Sequence, residues 1–349
     1  MQALRAVAAL SVAVLHLLNE ASRFDPRGAM TWLHDAVPWG AGVDLFFVIS
    51  GFVMVHASTG LFGRRDAPAV FMTRRLIRIV PLYWAATTAF LLVAFVRPGS
   101  VSTGADSVLA VAMSYAFLPM QRADGTIQPI YSLGWTLNYE MLFYLVFAAC
   151  LWQPIRRALV SVTLSLGGAI ALHSVVPAGA TMLVFWTNPI IAEFLFGMAI
   201  ATAAATGVLL PGWLRVALAV TAVGWLIAQH QYGIGGPQPL VIGVPMALLV
   251  VAAVLGRAIP VPTALLLLGD ASYALYLVHP FPMRAAALLW QRLQLSGPLA
   301  AAAYTVVALL LAVATAIAVH LWFERPVGAW LRGRLTGGMR RPPLPRAVM

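Results

Sequence analysis

Long apolar stretches, separated by short polar segments, run along almost the whole chain. A run of about 20 apolar residues can cross a bilayer as a helix, because a helix rises about 1.5 Å per residue through a hydrocarbon core of about 30 Å. Ten such runs are found, at residues 3–20, 39–58, 75–97, 132–152, 156–176, 181–203, 212–230, 238–256, 263–283 and 299–322. The pattern therefore predicts an all-α fold, a polytopic membrane protein with about ten transmembrane helices in a lipid bilayer.

Composition agrees with this fold class and excludes several others. Of the 349 residues, 61% are hydrophobic and only 9% are charged, a balance that is not typical of a soluble domain of this size. The net charge is +11, but the arginines lie between the apolar runs rather than on one soluble face, so we predict no nucleic-acid partner. Cys150 is the only cysteine and no metal-ligand spacing is present, so we predict neither an intrachain disulfide nor a bound metal.

The distribution of arginines predicts the orientation of the chain. Loops on the cytoplasmic side of a membrane carry an excess of basic residues, and ten spans place both termini on one side. With that side cytoplasmic, most of the arginines become cytoplasmic, namely Arg64, Arg65, Arg74, Arg75, Arg78, Arg156, Arg157, Arg215, Arg257, Arg325, Arg332, Arg334, Arg340, Arg341 and Arg346. We therefore predict a multi-pass protein of the bacterial cytoplasmic (inner) membrane with both termini cytoplasmic, and an uncleaved first span rather than a signal peptide.

Two segments fall outside this scheme. Residues 107–120 are apolar but too short for an easy crossing, and we predict an interfacial or re-entrant piece within the long outer loop 98–131. Residues 326–349 are rich in Arg and Pro, and we predict a disordered cytoplasmic tail after a transmembrane domain that covers residues 1–325.

Two ionisable residues stand out within the first apolar run. Arg5 and His16 are eleven positions apart, which brings them to within roughly 20° of one another around a helix and about 16 Å apart along it. An ionisable side chain within a bilayer is costly, so each should face the protein interior or a water-filled cavity. A cytoplasmic anchor for Arg5 and an interhelical hydrogen bond for His16 are the structural alternatives to a functional pair.

Further motifs along the chain make the pattern specific. They are "WGAGVDLFFVISGFVM" at 39–54, "RRLIRIVPLYW" at 74–84, "SLGWTLNYEMLFYLVF" at 132–147 and "GDASYALYLVHP" at 269–280. Together with the Arg–His spacing of the first run, they resemble, in order, the motifs of the acyltransferase 3 family of integral membrane acyltransferases. The third motif is similar to the branch that acetylates bacterial exopolysaccharide. It departs from many members in carrying Met141 where they have a second acidic residue.

The resemblance implies an enzyme with an acyl-coenzyme A co-substrate, most commonly acetyl-coenzyme A, and a hydroxyl acceptor on a polysaccharide or glycolipid. Arg75 and Arg78 are three residues apart and point the same way if helical. Their guanidinium groups suit the donor's phosphates, and Arg5 would hold its inner portion along the face shared with His16. The alternative for Arg75 and Arg78 is a plain positive-inside cluster.

The same resemblance assigns candidate catalytic roles. His16 is the candidate base, because a sugar hydroxyl needs a base near neutral pH and histidine titrates in that range. Glu140 is the candidate carboxylate that orients His16, and Asp44 is its alternative. A structural pairing of Glu140 with a buried Arg or Tyr remains open. Candidates on the acceptor side are Tyr144, Ser272, Tyr276 and His279.

A transporter is the competing function. Buried Glu, Asp and His residues also form proton relays, and ten spans would suit a carrier of a glycan or acyl-group carrier. Against it, the sequence has no internal repeat and no matched pair of broken helices in two halves.

Overall fold

The computed structural model describes residues 1–96, 107–257 and 260–335. These residues form sixteen α-helices joined by turns and short 3₁₀ or π segments. The first eight are α1 (Gln2–Ala21), α2 (Ala29–Ala36), α3 (Gly42–Ala57), α4 (Ala67–Val96), α5 (Val108–Tyr115), α6 (Trp135–Cys150), α7 (Ile155–Leu172) and α8 (Thr181–Trp186). The others are α9 (Ala192–Ala205), α10 (Gly212–Tyr232), α11 (Val244–Val254), α12 (Thr263–Asp270), α13 (Ser272–Val278), α14 (Pro280–Arg292), α15 (Pro298–Val319) and α16 (Arg325–Leu335).

The all-α membrane fold is confirmed. Within the described ranges, 7 helical segments are long and apolar enough to cross a membrane. They are Gln2–Ala21, Trp39–Ala57, Ala67–Val96, Ile155–Val175, Thr181–Ala205, Gly212–Tyr232 and Pro298–Leu335. Each of the ten predicted runs contains helix, but a count of ten spans stays a prediction.

The three remaining runs are shorter or interrupted. The run at 132–152 holds the 16 residues of α6 after one 3₁₀ turn, and the run at 238–256 begins with a π turn before α11. The run at 263–283 is divided among α12, α13 and the start of α14. Proline lacks the amide hydrogen of a helix interior, and Pro280 stands where α14 begins.

The segment 107–120 forms only the eight-residue helix α5, which rises about 12 Å. The Ser107 hydroxyl caps this helix by accepting a hydrogen bond from the Ala110 amide at 3.1 Å. The following turn is held by Arg122, whose guanidinium donates to the carbonyls of Pro129 and Ile130. A helix this short cannot cross the hydrocarbon core, in agreement with the interfacial or re-entrant prediction.

Residues 325–335 form helix α16, where the sequence predicted a disordered tail from residue 326. The Arg and Pro content of the whole tail suggested disorder, but its prolines concentrate after position 340 and only Pro326 lies in α16. A proline in the first turn of a helix is tolerated. The helix packs against α4, and the Arg334 guanidinium lies 4.9 Å from the Trp330 ring centroid. The rest of the predicted tail, 336–349, lies outside the described residues.

The helices form two compact units, and the first comprises Met1–Phe52 and Phe196–Phe323. Helix α1 packs against α12, α13 and α15 and against the 3₁₀ turn before α3. Two glycines allow close approach to α1. A Cβ on Gly269 would lie 2.2 Å from the Gln2 carbonyl oxygen, and one on Gly42 would lie 2.5 Å from the Ala8 carbonyl oxygen. Neither position can accept a side chain without movement of the backbone.

The second unit comprises Val53–Leu195 and the residues from Glu324 onward. Helix α4 packs against α6, and α6 packs against α7. Aromatic rings from α4, α6 and α9 pack against one another in this unit. Phe143 stacks on Phe194 with centroids 4.5 Å apart, and Phe71 lies against Phe147 at 5.2 Å. This unit therefore has an aromatic core of its own.

Candidate active site

Arg5 and His16 share one face of α1, as the sequence predicted, and both are part-exposed. The positions between them on that face are Ala8, Ala9, Val12 and Ala13, whose exposed fractions are 0–2%. Small side chains allow helices to pack closely, and α1 packs against α12, α13, α15 and the 3₁₀ turn before α3. The shared face is therefore a sealed helix interface with one ionisable group at each end, and not an open groove along which a ligand could lie.

The Arg5 end of this interface carries a polar network. The Arg5 Nη1 group donates to Gln2 Oε1 at 3.3 Å, and Gln2 Nε2 donates to the Asp270 carboxylate at the end of α12. Asp270 had no predicted role. The one feature of the sequence that could have indicated a role for it is its place in the motif "GDASYALYLVHP". The network links the guanidinium at the start of α1 to a carboxylate on the neighbouring helix.

A second histidine lies beside His16. The ring centroids of His16 and His279 are 5.2 Å apart and the ring planes are tilted by 31°. His279 is completely buried, and its Nδ1 is 2.9 Å from the Leu275 carbonyl oxygen one turn earlier. Its Nε2 has no hydrogen-bond partner among the described residues. The structure thus places His279 against the candidate base, whereas its predicted role was only on the acceptor side.

The other two candidates on α13 are also buried in the first unit. Ser272 is fully buried and its hydroxyl has no hydrogen-bond partner among the described residues. The Tyr276 ring meets the Phe46 ring edge-on with centroids 6.0 Å apart. An acceptor-side role for Ser272 and Tyr276 stays a prediction, because in this conformation both side chains pack in the interior.

Asp44 lies in the first turn of α3 and is 4% exposed. Its Oδ1 accepts a hydrogen bond of 2.7 Å from Gln238 Nε2, at the start of the π turn before α11. Gln238 gave no signal in the sequence, because its contact depends on how these distant segments pack. Asp44 is thus a buried carboxylate with a neutral donor beside it.

The second unit holds another group of predicted residues. The Tyr144 hydroxyl donates to Glu140 Oε2 at 2.7 Å, across one turn of α6. The guanidinium carbon of Arg75 lies 5.9 Å from the Tyr144 ring centroid and 5.3 Å from that of Phe71. Arg75 Nε is buried without a hydrogen-bond partner among the described residues. The arrangement joins a carboxylate, a phenol and a guanidinium between aromatic rings.

The neighbouring arginines differ in their hydrogen-bond partners and in their exposure. Arg64 forms a two-pronged contact with Asp66, from Nε to Oδ1 at 2.9 Å and from Nη2 to Oδ2 at 2.6 Å. These hydrogen bonds hold the pKa of the exposed Asp66 carboxyl below its ordinary value. Arg78 is part-exposed one turn beyond Arg75 on α4. Arg64 thus already has a carboxylate partner, whereas Arg75 Nε has no hydrogen-bond partner among the described residues.

The predicted residues divide between the two units. The first unit holds Arg5, His16, Asp44, Ser272, Tyr276 and His279, and the second holds Arg75, Arg78, Glu140 and Tyr144. Within the first, His16 meets His279, and within the second Arg75 meets the Glu140–Tyr144 pair. The predicted pairing of Glu140 with His16 stays a prediction. In the described part of the chain, no cluster of three or more His, Cys, Asp or Glu side chains could hold a metal ion.

Comparison with known proteins gives a consistent result. A family model described as an acyltransferase domain, of the acyltransferase 3 family, matches residues 1–317. The chain is 37% identical over 305 residues to the exopolysaccharide production protein ExoZ of Rhizobium meliloti (strain 1021), which covers 82% of this chain and 89% of that protein. It is 27% identical over 313 residues to the acyltransferase MdmB of Streptomyces mycarofaciens, covering 79% and 76%. No solved structure matches the chain significantly.

Proposed function

The chain belongs to the acyltransferase 3 family and is a membrane acyltransferase, and from that premise we propose that it acetylates a hydroxyl of an exopolysaccharide or other cell-surface glycan. The relative from Rhizobium meliloti is named for exopolysaccharide production, and the similarity extends over 89% of its length. The family match also favours the enzyme over the transporter alternative. The proposed donor is acetyl-coenzyme A, and the proposed location is the bacterial cytoplasmic membrane with both termini cytoplasmic.

The position of His16 on α1 is the single observation on which the proposed mechanism rests. It is a part-exposed histidine at the end of a buried strip of α1, and partial exposure supports a role that requires contact with a substrate. A neutral imidazole can take a proton near neutral pH, which a sugar hydroxyl must lose to become an effective nucleophile. In our proposal His16 is therefore the general base.

The proposed reaction proceeds by direct transfer. One His16 ring nitrogen takes the proton of the acceptor hydroxyl while the hydroxyl oxygen bonds to the thioester carbonyl carbon. The carbon–sulfur bond then breaks with its electrons on the coenzyme A sulfur. That sulfur takes the proton from His16 and leaves as the free thiol. In this scheme Glu140 or Asp44 orients the His16 ring or stabilises its protonated form, the two roles of the carboxylate in a catalytic triad.

The donor is proposed to bind through arginines. Arg75 and Arg78 would hold phosphate oxygens, because a guanidinium group pairs with phosphate through two parallel hydrogen bonds. The buried Arg75 Nε, which lacks a hydrogen-bond partner among the described residues, is the observation that supports this assignment. Arg5 would neutralise the donor near the start of α1. Because the strip between Arg5 and His16 is sealed, the acyl chain would reach His16 by a route other than that strip.

The test is acetyl transfer in a purified system. The protein in lipid vesicles is mixed with radiolabelled acetyl-coenzyme A and a de-O-acetylated bacterial exopolysaccharide, and label on the glycan is measured. We expect transfer by the parent protein and none by His16→Gln, which keeps hydrogen-bonding ability but cannot take up a proton near neutral pH. If the protein transfers a different acyl group from its coenzyme A thioester but does not transfer acetyl, acetyl-coenzyme A is not the donor. Near-parental transfer by His16→Gln would overturn the role of His16.

A further inference from the structure

His279 occupies an unusual position for a polar side chain. It is completely buried in the first unit, at the end of α13. The Leu275 carbonyl oxygen, 2.9 Å from Nδ1, can only accept a hydrogen bond, so Nδ1 must carry the proton. In the neutral ring Nε2 is then an acceptor, and it has no donor among the described residues. A buried acceptor without a donor costs free energy, which makes His279 Nε2 a candidate for a functional role.

Among the described residues, the aromatic ring that lies beside His279 is that of His16. Their centroids are 5.2 Å apart, and no hydrogen bond joins them in this conformation. His279 is held by its carbonyl partner and by full burial, whereas His16 is part-exposed. The His16 ring is therefore the one with room to turn, and the χ2 torsion of histidine has a broad energy profile. Rotation about χ2 is the movement that a hydrogen bond between the two rings requires, because it turns the His16 nitrogens relative to His279 Nε2.

We propose that His279 is the positioning residue of the base, with its Nε2 accepting the N–H of one His16 ring nitrogen so that the other faces the acceptor hydroxyl. The proposal rests on the proposed function of His16 as general base. When His16 takes the proton, both of its nitrogens become donors, and His279 Nε2 satisfies the one that faces inward. The two histidines thus form a dyad in which only one of them changes its charge.

A neutral acceptor costs less free energy to bury beside His16 than a charged one does. A carboxylate beside His16 would orient the ring more strongly, but burying its charge in a bilayer would be costly before the proton moves. His279 carries no charge while its Nδ1 donates to a carbonyl, so the resting dyad is neutral. His279, at the end of a helix that packs directly against α1, then orients the ring, and Glu140 or Asp44 keeps the other role of a triad carboxylate, which is to stabilise the protonated ring.

The first test reads the His16 ring without any substrate. The protein has 7 histidines, so ¹⁵N-histidine labelling in lipid gives few signals, and the His16 pair is assigned by its loss in His16→Gln. We expect one dominant His16 tautomer in the parent and mixed tautomers in His279→Leu, which removes the acceptor. His279→Gln offers a side-chain oxygen as acceptor and should restore one tautomer. Unchanged His16 signals in a folded His279→Leu protein would overturn the proposal.

The second test separates positioning from packing. We expect His279→Leu to lower kcat for acetyl transfer by about 10²-fold with an unchanged KM for the donor, and His279→Gln to recover most of that loss. His320→Gln is the matched control, because His320 is another buried histidine of the first unit and should keep near-parental kcat. Equal kcat in the parent and His279→Leu would contradict the proposal. An inactive parent with the expected tautomer change would instead contradict the proposed function and leave the dyad standing.

Discussion

Tyr144 donates a hydrogen bond to Glu140 at 2.7 Å, one turn apart on α6, with the Arg75 guanidinium 5.9 Å from the phenol ring centroid. Glu140 therefore has a neutral donor within its own unit. Two roles remain distinct for this carboxylate. It can anchor Tyr144 and balance the buried arginine, or it can act on His16 as the sequence analysis predicted.

Two substitutions distinguish these roles. Glu140→Gln keeps an acceptor for Tyr144 but removes the charge, whereas Tyr144→Phe keeps the ring and removes the hydrogen bond. If Glu140 acts through its charge on His16, Glu140→Gln should lower kcat for acetyl transfer by about 10²-fold or more, and Tyr144→Phe by less than about tenfold. Steady-state kinetics in vesicles measures both. The reverse order of effects would assign Glu140 to the structure of the second unit alone.

Donor binding should depend on Arg75 and Arg78 but not on Arg64. Each lost charged hydrogen bond is worth about 1.5–3 kcal/mol, so Arg75→Ala or Arg78→Ala should weaken acetyl-coenzyme A binding by roughly 10- to 100-fold. Calorimetric titration of the purified protein with a non-hydrolysable donor analogue measures this change directly. Arg75→Lys should recover little, because an ammonium cannot form the two-pronged contact of a guanidinium.

Arg64→Ala is the control for this series. Its guanidinium already contacts Asp66 in an exposed loop, and exposed ion pairs contribute little to stability. We expect donor affinity and expression close to those of the parent protein. If Arg64→Ala weakens binding as much as Arg78→Ala does, the arginines act as a general positive field rather than as phosphate ligands.

The sequence allowed prediction of the fold class and of which stretches are helical, because apolar runs of span length have few alternatives in a bilayer. It also placed Arg5 with His16 on one face, and Glu140 with Tyr144, since both relations follow from the 3.6-residue helical period alone. The local breaks in the runs at 238–256 and 263–283 were not predicted, because a hydropathy pattern does not resolve a π turn or a change of helix within an apolar stretch.

Contacts between distant segments could not be predicted from the sequence, for a different reason. The approach of His279 to His16 depends on how α13 packs against α1, and the bond from Gln238 to Asp44 depends on the π turn. A single sequence contains no signal for such packing. The sealing of the strip between Arg5 and His16 has the same origin, because alanines on a helix face fit a close helix interface as well as a ligand channel.

The side of the membrane on which the C-terminus lies shows whether the number of spans is even or odd. Ten spans place both termini on the same side of the membrane, whereas the 7 segments that reach span length would place them on opposite sides. The arginines of α16, Arg325, Arg332 and Arg334, favour the cytoplasmic side. We expect a fluorescent-protein fusion after residue 335 to be bright and an alkaline-phosphatase fusion at the same site to be inactive. An active phosphatase fusion would reject the ten-span topology.

The close contact between α1 and α12 should be essential to the Arg5 end of the site. A Cβ at Gly269 would lie 2.2 Å from the Gln2 carbonyl oxygen, so Gly269→Ala must separate the two helices and disturb the network of Arg5, Gln2 and Asp270. Overpacking of this kind typically costs about 1–3 kcal/mol. We expect a lower thermal midpoint in detergent together with weakened binding of the donor.

Gly224→Ala provides the matched control for that substitution. Gly224 lies within α10 of the same unit, and a Cβ there would meet no atom within 4 Å. Alanine is a better helix former than glycine by about 1 kcal/mol, so this variant should be as stable as the parent protein or slightly more stable, with unchanged donor affinity. If both variants lose stability equally, glycine matters here for a reason other than contact. If Gly269→Ala loses stability but keeps full donor affinity, Arg5 has no part in holding the donor and serves only as an anchor of α1.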